Sequence, residues 1–208
     1  MASAGPSPRA VALGFSVHTG WAALVAVARS GASSLTILDR RRVGMLPVPL
    51  TPRQDAYPHV FHAARELPLA DAERFVRKAE GEARARAREE LTSAVESLRA
   101  SGHRVVESAI ITARESPARS LEEILQSHTL VHAAEGALFR AVIRGASEDL
   151  GLRVFQVPAP ELVRRAARLL GLPKDEVPEF LTELGRPLGP PWTADHKAAT
   201  LAAALALS

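Results

Sequence analysis

Few residues of this chain combine a reactive type with a useful spacing. His59 and His62 stand one helical turn apart, and two imidazoles on one face of a helix could ligate a metal ion. No third ligand lies nearby in the sequence, so the pair is expected to be two ordinary side chains of a short helix. Arg40, Arg41 and Arg42 run consecutively. Such a run reads first as the solvated end of a strand, and as a functional feature it reads as a contact to a phosphate backbone. The chain has no cysteine, which excludes disulfides and thiolate metal sites. That absence fits a cytoplasmic protein.

The stretch that positions everything else is Ala10 to Ala28, AVALGFSVHTGWAALVAVA. Val11, Leu13 and Phe15 alternate with small residues, His18-Thr19-Gly20 makes a turn, and a second apolar run follows from Trp21. This reads as two buried strands of a hairpin. In several nucleotide- and nucleic-acid-handling folds such a first strand carries an acid near its end. Here that slot holds Ser16, and no acid lies between Val11 and Ala28.

Composition sets wide bounds. At 208 residues the chain fits one domain spanning 1–208 with a sizeable core. The net charge is +3, and Lys78, Lys174 and Lys197 are the only lysines. So weak a positive charge permits nucleic-acid binding without demanding it. No window is apolar enough to span a membrane. Residues 1–9, rich in small residues and proline, read as a disordered lead, and 44–68, with five prolines (Pro47, Pro49, Pro52, Pro58 and Pro68), as an insertion holding at most one short helix near His59–Arg65.

The remaining periodicities give an order of elements. Leu35 to Val43 reads as a third strand. Leu69 to Ala100 reads as a long helix with one apolar stripe from Leu69 through Ala83 and Leu91 to Leu98. A fourth strand, Arg104 to Ala113, precedes helices over Ser120–Gln126 and His128–Ile143. A fifth, Leu152 to Val157, precedes helices over Glu161–Leu170, Lys174–Leu184 and Thr193–Leu207, the last capped by Thr193 or Asp195. Three antiparallel strands followed by two crossover units make an α/β fold with one five-stranded mixed sheet flanked by helices. This is the ribonuclease-H-like order. Actin-like ATPases begin similarly, but they need a second domain and a Gly-rich phosphate loop, and the sequence has neither.

Three segments sharpen this: GFSVHTGWAAL, VFQVPAPELVRRAARLLGLPKDEV and PPWTADHKAATLAAALAL. With SLEEILQSHTLVHAAEGAL they resemble the RuvC-type Holliday-junction resolvases. The resemblance implies a site of four carboxylates holding two magnesium or manganese ions astride the scissile phosphate. Carried over by position, the first-strand aspartate falls on Ser16, the fourth-strand glutamate near Ile111, and the last-helix Asp-x-x-Asp pair on Asp195 and Ala198. One acid of four survives. His18, Glu115, Asp195 and His196 are the neighbours from which a catalytic or metal site could be rebuilt.

The resemblance therefore implies a RuvC-like nucleic-acid-binding protein that has lost most or all cleavage and needs no cofactor, with Mg or Mn required only if it is active. Arg40, Arg41, Arg42, Arg114, Arg164, Arg165 and Lys197 are its candidate contacts to DNA or RNA. One alternative is a protein-interaction module on the same fold, using the long helix and the 44–68 insertion. Another is an active nuclease with relocated ligands. Pairing through helices, common in the family, implies a homodimer as a further partner state.

Overall fold

The structure is a computed structural model and describes residues 9–29, 31, 34–46, 59–113 and 119–208. Strands β1 (Ala10–His18), β2 (Trp21–Arg29) and β3 (Leu35–Gly44) form an antiparallel meander. β4 (Arg104–Thr112) then pairs parallel with β1, and β5 (Arg153–Pro158) pairs parallel with β4. The sheet order is β3-β2-β1-β4-β5. The expected mixed sheet of three antiparallel strands and two crossover strands is what forms. Arg9, assigned by sequence to a disordered lead, is already tied in. Its guanidinium donates to the Thr36 hydroxyl and its carbonyl accepts from the Arg104 N–H.

Strand alternation sorts the core into two layers. Val11, Leu13 and Phe15 of β1 face one side with Leu24 and Ala26 of β2. That side is covered by α1 (Val60–Ala64), α2 (Leu69–Ala100) and α4 (His128–Asp149). Ala12 of β1 and Val25 and Val27 of β2 face the other side, covered by α5 (Ala159–Leu170), α6 (Val177–Gly185) and α7 (Ala194–Ala206). α3 (Leu121–Gln126) is short and closed by a capping box between Ser120 and Glu123.

Two helices depart from the sequence reading. The apolar stripe of α2 does not start at Leu69, which is 42 % exposed. Ala83, Ala87, Leu91, Ala94, Val95 and Leu98 are buried, so mainly the second half of this helix packs on the sheet. α4 runs on past Ile143 to Asp149, because Phe139, Val142 and Ala146 continue its buried face. Arg84 of α2 grips the end of α4 through two hydrogen bonds to the Asp149 carboxylate, at 3.0 and 2.7 Å.

The closest packing is between β1 and α7. A Cβ on Gly14 would lie 2.8 Å from the Ala199 carbonyl carbon, nearer still to its oxygen, and 3.0 Å from the Ala203 Cβ. Only glycine on the strand and alanine on the helix let these backbones approach so closely. Gly14→Ala is therefore expected to destabilise the protein by ~1–3 kcal/mol or more through overpacking. Gly81→Ala, at a helical position with open space around it, is expected to stabilise by ~0.5–1 kcal/mol. Chemical denaturation of both variants checks the contrast.

Candidate functional site

β1, β4 and β5 are parallel, and β3 runs in the same direction as β1 through two antiparallel pairings. The carboxyl ends of four strands therefore share one edge of the molecule, where open α/β sheets build their sites. Ser16 and His18 project there from the end of β1. Asp195 descends onto them from the first turn of α7.

The polar centre is compact. The Ser16 hydroxyl donates to Asp195 Oδ1 at 2.8 Å, and His18 Nε2–H donates to the same oxygen at 2.7 Å. His18 is stacked on Trp21, with ring centroids 4.3 Å apart, and the Arg42 guanidinium lies 3.9 Å over the Trp21 ring. Partial burial pushes the Asp195 carboxyl up, but the hydrogen bonds from His18 and Ser16, with the positive charge of His18 and His196, hold it below the ordinary carboxylate value. Serine, histidine and aspartate are the residues of a hydrolase triad, but the connectivity differs. The single Ser16 proton is given to the acid, not to the imidazole, so no relay activates the hydroxyl.

His196, a candidate metal ligand by sequence, has another task. It is the third residue of a capping box with Thr193. Its Nδ1 accepts from the Thr193 N–H at 3.2 Å, which leaves the proton on Nε2 and no open lone pair for an ion. The ring stacks on Trp192, whose indole N–H donates to the Leu181 carbonyl at 2.8 Å. Burial, then the nearby Arg40 charge, holds the His196 pKa below its usual value.

Arg40 is likewise engaged within the protein. Its guanidinium donates to the carbonyls of Leu188 at 2.7 Å, Gly189 at 2.9 Å and Pro190 at 3.3 Å, and also to Pro191. These bonds fix the Pro-rich loop that leads into α7, so the fork is taken up by the protein itself rather than offered to phosphate. Arg41 is paired with Asp39 at 2.6 Å. Arg164 and Arg165 lie in the second turn of α5, at the same strand-end edge, and make long ion pairs with Glu161, at 3.9 and 3.8 Å, while Arg165 also lies 5.3 Å over the Phe155 ring. Lys197 donates to Thr182 at 2.9 Å. Arg114 and Glu115 lie outside the described residues.

No family model matches the sequence, and no curated protein matches it. Solved structures do match. Thermus thermophilus RuvC in complex with Holliday junction substrate is similar over 94 % of this chain and 91 % of its own, at TM-score 0.55 and 15 % identity. This chain has the RuvC fold. A second Thermus thermophilus RuvC structure agrees at TM-score 0.51 and 18 % identity, covering 94 % and 92 %.

On this RuvC fold the four positions carried over by sequence fall near one another. Extending the pairing of Phe15 with Ile110 by one residue sets Ser16 beside Ile111, on the face that α7 covers. Ala198 is one turn below Asp195 and packs into that layer. Ile111 and Ala198 provide no donor atoms, and Asp195 Oδ1 already accepts two hydrogen bonds. Among the described residues the donor set therefore does not fit a two-ion magnesium or manganese centre, which needs several carboxylates.

The sequence reading missed a second polar cluster. His59 and His62 do have further ligands within reach, namely His128, His132 and Glu135 of α4. The i, i+4 spacing of His128 and His132 was the available signal.

The His196 cap makes a pH prediction. The unfolded chain protonates this residue near 6.5, whereas the folded protein resists protonation. Stability should therefore fall as pH drops through 6.5. His196→Gln keeps a side chain suited to the capping position but cannot titrate. It should match the wild type near pH 7.5 and lose less of its thermal midpoint by about pH 5.5.

Proposed function

We propose that this protein binds nucleic acid at the strand-end edge of its RuvC-type fold and does not cut it. The observation that carries the reading is the state of Asp195. It is the one acid at the four positions, and its Oδ1 is satisfied by Ser16 and His18. A carboxylate bonded in this way ties α7 to β1. The seat of α7 on β1 is thereby kept while the charge that would hold ions is reduced to a single group.

Contacts to the backbone of a bound strand would come from Arg164 and Arg165 on α5 and Lys197 on α7. These side chains are exposed or half-exposed and carry positive charge, which is what sequence-independent phosphate contact requires. The four-way junction is the probe to try first, since the structural neighbour was solved with one.

The test is binding of a labelled four-way junction against plain duplex across a salt series with manganese present, followed by a denaturing gel. Expected are salt-dependent binding that prefers the junction and no cleavage products. Arg164→Glu and Lys197→Glu should each weaken binding and lower the salt slope by about one. Cleavage that disappears in Asp195→Ala would overturn the non-cutting half of the proposal. Absence of binding even at low salt would overturn all of it and leave the helical faces as surfaces for a protein partner.

A further inference from the structure

We propose that α1 and α4 hold a site for one divalent transition-metal ion of the zinc class, ligated by His59, His62 and Glu135, with His128 and His132 at its mouth. The site lies on the α1/α2/α4 face of the sheet, on the opposite side from Asp195. It is independent of the nucleic-acid reading.

The argument starts from Glu135. Its side chain is only 2 % exposed, in a helix whose other inward residues are apolar except for Ser147, whose hydroxyl is satisfied by the Ile143 carbonyl. Oε1 accepts from the Phe61 N–H at 2.8 Å and, more weakly, from the His62 N–H at 3.4 Å. Oε2 is buried with no hydrogen-bond partner. Nδ1 of His59 and Nδ1 of His62 are also buried without one. Buried polar atoms are nearly always paired, so three orphans in one place call for a common partner. The His62 nitrogen stands 3.5 Å from Oε1. Ligand atoms of His59, His62 and Glu135 all lie within 4.8 Å of one another. Closing that to the roughly 3.3 Å between ligands of a tetrahedral ion takes small side-chain rotations.

The chemistry selects the ion. Two imidazoles and one carboxylate suit zinc, nickel or cobalt, whereas magnesium prefers oxygen alone. A carboxylate group this deeply buried is also stabilised by a cation placed beside it. Three protein ligands leave a fourth position toward solvent. His128 and His132 stand there, with ring centroids 4.4 Å apart and 5.6 and 4.8 Å from His62. They form a second triad with His62, within the same 4.8 Å limit, on the path an ion would take inward.

The experiment uses the full chain without a histidine tag, stripped with chelator and titrated with Zn²⁺ by calorimetry. Co²⁺ is added in parallel for its visible absorption. Expected are one ion per chain, a raised thermal midpoint and no competition from excess Mg²⁺. His62→Gln should weaken Zn²⁺ by at least the ~100-fold that loss of even a supporting partner can cost. His59→Gln should lose at least ~10-fold, and His132→Gln less than that. If circular dichroism shows that His62→Gln is unfolded, Glu135→Gln replaces it. That variant keeps an oxygen for the Phe61 N–H and should lose ~10-fold or more. No saturable binding would overturn the site. A loss confined to His132→Gln and His128→Gln, with His59→Gln unaffected, would overturn the inner ligand set.

Discussion

The contact that the rest of the molecule depends on is the approach of α7 to β1 at Gly14. Because the strand has no side chain there and the helix presents Ala199 and Ala203, the helix backbone settles against the sheet itself. This depth brings the first turn of α7 to the end of β1. Asp195 then meets Ser16 and His18 at hydrogen-bond distance. With larger residues on either element the helix would stand off, and Ser16 and His18 would not share one oxygen of a residue 179 and 177 positions away.

The start of α7 is fixed from the side as well. Arg40 holds the carbonyls of the loop before it, Trp192 is pinned to α6 through Leu181, and Thr193 with His196 closes the helix end. A Cβ at Gly185 would overlap the Trp192 indole, so that stretch is closely packed too. Arg40 and His196, which a reading by type assigns to phosphate and to a metal ion, are here spent on placing one carboxylate. A cationic fork near a site satisfies the nearest strong acceptors, and a loop of prolines, short of N–H donors of its own, supplies carbonyls in a row.

Most of the architecture was legible in the sequence because it rests on local signals. Period-two and period-3.6 patterns gave the five strands and the long helix to within a residue or two, with Gly and Pro punctuating them. The mixed character of the sheet, a meander followed by two crossover strands, followed from connection rules. What was illegible depended on partners distant in the chain. The exposure of Leu69 reflects how far the sheet extends beneath α2, which no helical stripe records. The fate of Arg40 depends on a loop placed beside it by the fold. Nothing local marks Glu135 for burial, which arises once α1 folds back onto α4. The same folding turned His59 and His62 from an isolated pair into part of a cluster of five.

The arginines of β3 have another effect, which concerns the outline of the sheet. β3 is an outer strand, and an outer strand exposes unpaired backbone groups that invite a further strand from another chain. Here that rim carries Arg40, Arg41 and Arg42 in succession, and the first of them fastens a loop alongside. At the other rim β5 is only six residues long and ends in Pro158. Both rims are blunted against edge-to-edge growth.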